Sequence, residues 1–540
     1  MQKQSNFIKK IIMEDLKKKK YNQIITRFPP EPNGFLHLGH ARAIFINFEL
    51  ANFFNGQTNL RYDDTNPIKE DKIYVNSILE DIKWLGYKPN KILFASEYFL
   101  EMYERALNLI KKGKAFVDDL SSEEIFQTRG NLTEPGQNSP YRKRSIKENL
   151  KLFQKMKEGF YKEGEKVLRA KIDMKSPNIN LRDPVLYRIL HAKTLKNVDW
   201  FIFPTYDYAH PLEDAIEKIS HSLCSLEFED HRVLYDWVIK ETEMSHIPTQ
   251  IEFGKLNITN FILGKRNLKF LVDNNLVDGW SDPRMPTLSG LRRKGYTPNS
   301  IKNFLSNIGL SKTNSKVKKS MLESFVRDDL KSQTFKMMAV INPLKVTITN
   351  YPLNKKEILE FQENNDYLIQ TKKIFFSREI YIEKEDFQIN KPDIKYKRLF
   401  LNGEIRLFHA YFIKVYDVIK NNNDEIIELL ATYDPKTKSG SGFNERKPNG
   451  TIHFVEVNTA QKANFNFFSF MYKTEKPKDL KLEFNFKSLE TKVGFLDSSF
   501  KNFKNLDKFQ FIRNGYFVFD KKEEKILNFN EIISLKKSYK

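Results

Sequence analysis

The residues best suited to chemistry in this sequence are two histidines, His37 and His40, with a leucine and a glycine between them. A short apolar run at Ile24 and Ile25 predicts a strand before them, and apolar residues at helical spacing follow them. Free N–H groups at a helix N-terminus favour phosphate, and two imidazoles could donate further hydrogen bonds to it. The pattern predicts a phosphate site at a strand-to-helix junction, although a loop with two incidental histidines would look the same.

A second polar group follows the next predicted strand, Asn59–Tyr62. Asp63 and Asp64 come directly after this strand. Ligands bind at the carboxyl ends of strands in an open α/β sheet, so an acidic pair there could bind an ammonium group or a metal ion. The pair could also cap the amphipathic segment Lys69–Leu85 as a helix N-terminus, and the two roles are compatible.

The elements that must position these groups alternate along the chain. Strand and helix patterns alternate up to about Phe94 and again from about His210 to Phe253, which predicts an α/β sheet with an insertion between its halves. Helical patterns continue to about Lys336, and short β-prone segments after it predict one or two β-barrels. Further segments have a clear pattern: helices at Tyr98–Lys112, Ile146–Gly159, Ser289–Arg293 and Ser300–Ile308, and a strand at Trp200–Tyr208.

The composition limits the class of protein. A chain of 540 residues with 40% hydrophobic residues predicts several domains with buried cores. No run approaches the length of a membrane span, and the N-terminal stretch is too charged for a signal peptide. Cys224 is the single cysteine, which excludes an intrachain disulfide and a cysteine zinc cluster and favours a reducing cytosol. The net charge of +21 indicates a polyanionic partner such as nucleic acid, although an AT-rich genome would also enrich lysine.

Longer motifs carry a resemblance to a known family. Arg27–Gly34 and the histidine pair resemble the HIGH-type motif of class I aminoacyl-tRNA synthetases, in the form found in the glutaminyl-tRNA synthetase family. Further segments match that family in order: Asp63–Pro67, Asn138–Arg142, Leu168–Asp173, Arg182–Arg188 and Asp282–Thr287. The resemblance extends from near Asn6 to the C-terminus and weakens after about Ser320.

The resemblance implies a multidomain α/β plus β fold. It comprises a Rossmann-type parallel sheet with an acceptor-binding insertion, a helical subdomain and two C-terminal β-barrels that bind the anticodon. The implied segments are 1–96 for the first half of the catalytic domain, 97–204 for the insertion, 205–255 for its second half, 256–336 for the helical subdomain and 337–540 for the barrels.

The resemblance also implies a reaction. Glutamine and ATP would give glutaminyl-adenylate and pyrophosphate, and the glutaminyl group would move to the 2′-hydroxyl of the terminal adenosine of tRNA(Gln). Mg²⁺ would be carried on the ATP phosphates, with no dedicated protein metal site. A monomer in the cytoplasm with no membrane partner is the expected form.

Residue roles follow from the motif matches. His37, His40 and Lys265 would stabilise charge on the reacting phosphate. Asp63 would pair with the glutamine ammonium group, Tyr206 would hydrogen-bond glutamine, and Arg398 is the residue expected at the anticodon. The expected ATP site comprises Glu31, Pro32, Asn33, His37, Leu38, Gly39, His40, Ala41, Arg42, Ala43, Ser225, Lys255, Leu256, Leu263, Gly264 and Lys265.

The sequence departs from the family in the second ATP motif, where Ile262–Arg266 replaces the usual Val-Met-Ser-Lys-Arg. Lys265 is retained, but Gly264 removes a hydroxyl and loosens the backbone. Lys255 replaces an arginine and loses its bidentate fork. These changes predict slower adenylate formation or weaker ATP binding. In the barrels, Phe408 replaces an arginine and could stack on a base or simply pack.

Two other functions remain open at this level. The altered second motif would also suit a non-catalytic tRNA-binding paralogue. A glutamyl-tRNA synthetase would need a cation for the side-chain carboxylate, whereas a glutamine site needs an acceptor for the amide N–H and no cation nearby. The sequence does not identify the group that supplies this acceptor.

Overall fold

A computed structural model of the chain describes residues 6–365, 368–475, 477–523 and 526–535. The chain forms two compact units. The first contains the chain up to Lys269 together with Thr287–Ser289 and Lys302–Lys318, and the second contains Phe270–Pro286, Gly290–Ile301 and the chain from Lys319 onward. Within the described ranges, no helix combines the length and the apolar character needed to cross a membrane.

The helices follow the predicted apolar periodicity. In chain order they are α1 Phe7–Lys17, α2 Leu38–Phe53, α3 Lys72–Trp84, α4 Phe99–Lys111, α5 Ser122–Arg129, α6 Ile146–Lys157, α7 Tyr206–Ile216, α8 Arg232–Glu241, α9 Lys265–Asp273, α10 Leu288–Arg293, α11 Pro298–Ile308 and α12 Lys319–Leu330. Four of the five helices predicted individually have ends within two residues of those of α4, α6, α10 and α11, and the fifth, Lys69–Leu85, begins three residues before α3. In α4, Met102, Ala106 and Leu109 are fully buried, and their spacing forms the single apolar stripe of an amphipathic helix.

The first unit contains the parallel sheet that the alternating pattern predicts. Its strands are β1 Ile25–Phe28, β2 Gln57–Tyr62, β3 Ile92–Phe94, β4 Ala115–Asp118, β5 Val167–Ala170, β6 Val185–Lys193, β7 Asp199–Pro204, β8 His221–Ser225, β9 Thr249–Phe253, β10 Leu256–Ile258 and β11 Ser315–Val317. β1, β2 and β3 pair in parallel, as do β8 and β9. The Ser220 N–H donates to the Ile25 carbonyl at 2.9 Å and links the two ladders in the order β3-β2-β1-β8-β9.

This arrangement brings the carboxyl ends of β1, β2, β8 and β9 to one edge of the sheet, which is where open α/β sheets bind ligands. Between β3 and α7 lies an antiparallel sheet in the order β4-β5-β6-β7. Its core includes Phe116, Phe153 and Phe203, all buried. The Rossmann-type sheet and an intervening α+β segment therefore confirm the predicted fold class.

Two local predictions are wrong. The strand predicted at Trp200–Tyr208 ends at Pro204, and helix α7 begins at Tyr206. Proline lacks the N–H that would continue a ladder, which outweighs the strand preference of the tyrosines. Helix α3 is capped by Asp71, whose Oδ1 accepts the Ile73 N–H at 2.9 Å, and not by the earlier acidic pair.

The second unit is rich in β-structure. Its strands are β12 Phe335–Met337, β13 Ala339–Val340, β14 Pro343–Ile348, β15 Glu357–Asn365, β16 Leu368–Phe376, β17 Glu379–Glu383, β18 Phe387–Gln388, β19 Leu399–Phe400, β20 Glu404–Leu407, β21 Phe412–Lys420, β22 Ile426–Asp434, β23 Thr451–Ile452, β24 Val455–Glu456, β25 Gln461–Phe468, β26 Leu489–Leu496, β27 Lys508–Phe511, β28 Gly515–Glu523 and β29 Ile526–Ser534. Two sheets of seven strands each have the orders β23-β20-β21-β22-β14-β17-β24 and β12-β27-β28-β29-β25-β26-β13. These barrel-like sheets confirm the prediction of two C-terminal β-barrels.

Candidate active site

A cavity of about 590 Å³ lies in the first unit at the carboxyl edge of the parallel sheet. Most of the predicted ligand-binding residues line it: Glu31, His37, Gly39, His40, Arg42, Ala43, Asp63, Tyr206, Ser225, Lys255, Leu256, Leu263 and Lys265. The other predicted residues lie outside its lining: Pro32, Asn33, Leu38, Ala41 and Gly264. Leu38 and Ala41 are fully buried on the inner face of α2, so their contribution is to pack the helix that carries the histidines.

The histidine pair forms the N-terminus of α2. The Nδ1 atom of His37 accepts the Gly39 N–H at 3.0 Å, and the Nδ1 atom of His40 accepts the His37 N–H at 3.1 Å. The two rings stack with centroids 3.9 Å apart. Since both Nδ1 atoms act as acceptors, each neutral ring carries its proton on Nε2 and retains one N–H donor.

The same surroundings keep both imidazoles neutral. Burial is the main cause that lowers the pKa of His37 to about 4, and the nearby Lys265 ammonium adds to it. Burial, followed by His37 and Lys265, holds the pKa of His40 well below its usual value. Burial also lowers the pKa of Lys265, although the Glu31 carboxylate opposes this shift. The pair can therefore donate hydrogen bonds at neutral pH without adding positive charge.

Other side chains approach two glycines of this wall closely. A Cβ atom at Gly39 would lie 2.8 Å from Cε1 of His37, so any other residue would displace the capping imidazole. A Cβ atom at Gly34 would lie 2.6 Å from Cε of Lys265, so glycine allows the lysine to cross the turn. The strand-to-helix turn and the lysine of the second motif are thus packed directly against each other.

A glutamate that the sequence analysis missed organises the opposite wall. Glu227 accepts a hydrogen bond from the Ser225 hydroxyl at 2.8 Å and forms an ion pair with Lys255. Burial alone would raise the pKa of Glu227, but Lys255 and Ser225 outweigh it and lower the pKa. Glu227 lines the cavity two residues after β8, and this position at a strand end was the available signal.

Asp63 and Tyr206 bring the predicted amino-acid site into the same cavity. The Asp63 carboxylate is 5% exposed and accepts a hydrogen bond from the Thr65 hydroxyl at 2.8 Å. Burial is the main cause that raises its pKa, and a cation bound beside it would favour its charged form. Tyr206 stacks on His210 with ring centroids 4.9 Å apart, and burial holds the pKa of its phenol well above the usual value.

Beneath this half of the cavity lies a buried ionic network that the sequence did not reveal. The Arg27 guanidinium donates to Asp214 Oδ1 at 3.0 Å, to the Leu223 carbonyl at 2.9 Å and to the Ser222 hydroxyl at 2.7 Å. Asp214 also accepts from Arg61 Nη2 at 2.9 Å. Arg27 and Asp214 are fully buried, yet Arg27 also lines the cavity.

This network fixes the charge of a third histidine. His210 Nε2 lies 3.1 Å from Asp214 Oδ2. Burial alone would lower the pKa of His210, but the Asp214 carboxylate overrides it and raises the pKa to about 9. Arg27 and His210 in turn hold the pKa of Asp214 well below its usual value against the effect of burial. His210 therefore places positive charge behind the Tyr206 ring, and Asp214 already pairs with it.

The predicted anticodon residues lie in the second unit. Arg398 donates from Nη1 to the Glu385 carbonyl at 2.9 Å, and its Nε lies 3.6 Å from Asp386 Oδ1. Arg513, which the sequence analysis missed, forms two hydrogen bonds of 2.6 Å to the same Asp386 carboxylate. Phe408 packs against the core of its barrel, which favours the packing role over base stacking.

The donor set of the described residues does not fit a dedicated metal site. No group of three or more His, Cys, Asp or Glu side chains in those ranges has an arrangement that could hold a metal ion.

Comparison with known families agrees with this geometry. A model described as the catalytic domain of class I tRNA synthetases (E and Q) matches residues 23–332. Two models for the anticodon-binding domains of these enzymes match residues 336–434 and 451–520. The chain belongs to the class I aminoacyl-tRNA synthetases, which use ATP to attach an amino acid to tRNA.

Within that class, the chain belongs to the family of the E and Q enzymes. The relatives described next are all glutamine--tRNA ligases. The chain is 56% identical to the glutamine--tRNA ligase of Clostridium perfringens, over 99% of this chain and 98% of that protein. It is 55% identical to the glutamine--tRNA ligase of Clostridium kluyveri and 54% identical to that of Clostridioides difficile, with the same coverage of both chains.

Proposed function

We propose that this chain activates L-glutamine with ATP and transfers it to the 2′-hydroxyl of the terminal adenosine of tRNA(Gln). The observation that carries the proposal is one cavity lined both by the phosphate-type residues His37, His40 and Lys265 and by the amino-acid-type residues Asp63 and Tyr206. A glutamine whose ammonium group pairs with Asp63 would have its carboxylate in the same cavity as the α-phosphate of ATP, as in-line attack requires. The glutamine--tRNA ligase relatives support the choice of amino acid.

In the first step the glutamine carboxylate attacks the α-phosphorus of ATP and pyrophosphate leaves. Negative charge grows on the phosphate oxygens during this step, so preorganised donors lower its barrier. The Nε2–H groups of His37 and His40 and the free N–H groups at the start of α2 supply neutral donors, and Lys265 supplies the point charge. ATP arrives with its Mg²⁺ as a substrate complex.

Selection of glutamine over glutamate depends on what the side chain meets in the cavity. A glutamate carboxylate would need a cation free to pair with it. Arg27, Arg42, Lys255 and Lys265 all line the cavity. Arg27 is the one of these that acts on the Tyr206 phenol, and its charge is already paired with Asp214. A neutral amide avoids placing a second carboxylate against this buried pair, which favours glutamine.

The remaining assignments complete the proposal. Arg398 would contact the tRNA anticodon, since its side chain is about half exposed and is anchored by Asp386. The functional segments would end near residues 96, 204, 255 and 336. We expect a monomer that acts in the cytoplasm, where the tRNA and amino acid substrates of protein synthesis are found.

Aminoacylation of total tRNA with labelled glutamine or labelled glutamate, each with ATP, tests the proposal. Charging with glutamine alone is the expected result. Charging with glutamate alone would establish the glutamyl alternative and overturn the proposal. Charging with neither, while the protein still binds tRNA in a filter assay, would establish the non-catalytic paralogue.

A further inference from the structure

A second cavity of the first unit, of about 460 Å³, has no place in the proposed reaction. It lies between the start of α1, the second turn of α2 and the end of α11. Its described lining combines apolar side chains, among them Phe7, Phe45, Leu305 and Ile308, with the polar residues Asn6, Arg42 and Ser306. This volume is within the range of small-molecule sites, which are mostly apolar with a few placed polar groups.

The lining of this cavity includes one charged residue, Arg42. Arg42 is 3% exposed, and its guanidinium makes only long hydrogen bonds, 3.3 Å to the Ser315 hydroxyl and 3.4 Å to the Gly309 carbonyl. Its Nε has no hydrogen-bond partner, and no carboxylate in the described ranges pairs with it. A buried charge without a counter-charge is unfavourable, and burial accordingly lowers the pKa of Arg42.

We propose that this cavity is a binding site for a small organic anion with an apolar body, whose acidic group pairs with Arg42. The carboxylate or sulfonate of such a ligand would satisfy the guanidinium, and its hydrocarbon part would cover the partly buried side chains of Phe7 and Ile308. Fully hydrophilic anions such as inorganic phosphate fit the wall poorly, because they would leave this apolar surface unoccupied while losing their own hydration.

The main competing explanation is that ATP itself supplies the counter-charge. Arg42 lines the larger cavity as well as the smaller one, so a nucleotide phosphate is within its reach in principle. The two explanations make different predictions, because a ligand of the smaller cavity also contacts Ile308, which lines that cavity alone. A test must therefore distinguish binding in one cavity from binding in the other. It must also distinguish the contribution of the acidic group from that of the apolar body.

The probe is 1-anilinonaphthalene-8-sulfonate, compared with its uncharged counterpart N-phenyl-1-naphthylamine, titrated by fluorescence into the full chain. We expect one saturable sulfonate site that saturating ATP does not occupy. Arg42→Met should remove the preference for the sulfonate over the neutral probe, a change of about 10-fold in relative Kd, since the charge-assisted hydrogen bond is lost. Ile308→Trp should fill the cavity and weaken both probes by at least about 10-fold.

Asn303→Trp is the matched control, since it places the same ring on α11 at an exposed position outside the lining. Circular dichroism and Tm verify folding, and Leu310→Trp replaces Ile308→Trp if that variant unfolds. Stoichiometric displacement by ATP would place the probe in the nucleotide cavity and overturn the proposal. The absence of saturable binding, or equal binding to wild type and the filled variant, would also overturn it.

Discussion

The two halves of the candidate active site hold histidines whose pKa values are shifted in opposite directions. In the half proposed to bind ATP, called here the ATP half, His37 and His40 stack on each other beside Lys265, and their pKa values lie well below the usual one. In the amino-acid half, His210 contacts Asp214, and its pKa rises to about 9 although burial opposes the shift. Burial is therefore common to both halves, and the presence of one carboxylate decides the charge.

The different pKa values of the histidines suit different roles of the two halves in the proposed reaction. A neutral imidazole donates a hydrogen bond to a phosphate chain while leaving the net charge to Lys265 and the magnesium bound to ATP. A histidine beneath Tyr206 with a raised pKa instead balances the charge of Asp214, and this carboxylate holds Arg27 in place. The first half should therefore be sensitive to loss of donors, and the second half to loss of its carboxylate.

Removal of a donor in the ATP half should have the largest effect on activity. His40→Ala deletes the Nε2–H donor and the acceptor for the His37 N–H, so we expect tRNA-dependent ATP–pyrophosphate exchange to fall by about 1,000-fold. His40→Gln is the matched variant, because glutamine at this helical position can still accept the N-cap N–H. The His40→Gln variant should have the Tm of the wild type, while its ATP–pyrophosphate exchange stays roughly 100-fold below the wild-type rate. Wild-type exchange in His40→Ala would show that the assigned role is wrong.

Removal of the carboxylate should have the largest effect on stability in the amino-acid half. Asp214→Asn leaves Arg27, Arg61 and His210 without their shared anion, and we expect a loss of about 3–5 kcal/mol in the free energy of unfolding. A raised KM for glutamine should accompany this loss, because Arg27 would no longer be held.

A surface pair provides the control for this substitution. His231 Nδ1 lies 2.8 Å from Asp207 Oδ1, but both side chains are about one-third exposed. Asp207→Asn should therefore lower the free energy of unfolding, obtained from urea titration, by less than about 1 kcal/mol. Equal losses in the two variants would contradict the view that the network under the cavity is electrostatically strong.

The opposite pKa shifts predict opposite dependences of stability on pH. The folded-state pKa of His37 is about 4, below the usual 6.5, so its folded state loses stability relative to the unfolded state as the pH falls from 6.5 to 4. The folded-state pKa of His210 is about 9, so its contribution is complete below pH 6.5 and is lost as the pH rises to 9. Each contribution is at most about 3 kcal/mol.

Urea titrations of wild type, His37→Gln and His210→Gln at several pH values measure these contributions. The destabilisation caused by His210→Gln should shrink between pH 7 and pH 9.5. His37→Gln should become more favourable relative to wild type as the pH falls from 6.5 to 4. Parallel pH profiles for the three proteins would contradict the different charge states of the two halves.

The sequence predicted the ATP half better than the amino-acid half for a physical reason. His37, His40 and Gly39 belong to one strand-to-helix turn, where local patterns of apolar residues and helix caps are informative. The pair of Arg27 and Asp214 joins residues 187 positions apart and has no local pattern. Glu227 follows a strand end, which is a local signal, but its partner Lys255 follows a different strand and the sequence does not show the pairing.

Predictions of the fold were also accurate only where a local pattern determines the structure. Periodicity located α4 and α6 within two residues, because one buried stripe determines each amphipathic helix. The segment ending at Tyr208 was predicted as a strand from its aromatic residues, although Pro204 ends the ladder. Asp63 and Asp64 were expected as possible helix caps, but their carboxylates bind Thr65 and Ser96 in the tertiary structure.

The smallest effect is expected in the second ATP motif, where the ATP half departs from the family. The Gly264 carbonyl accepts the Leu268 N–H at 3.1 Å, which places Gly264 at the N-cap of α9. An added Cβ would meet only the Asn267 side chain at 3.5 Å, so serine fits, and serine caps a helix slightly better than glycine. Gly264→Ser should raise ATP–pyrophosphate exchange by about 2- to 5-fold, roughly 0.4–1 kcal/mol in the barrier. Gly264→Ala supplies the same Cβ without the hydroxyl and should give no gain. Equal rates in wild type and Gly264→Ser would mean that the histidine wall alone limits adenylate formation.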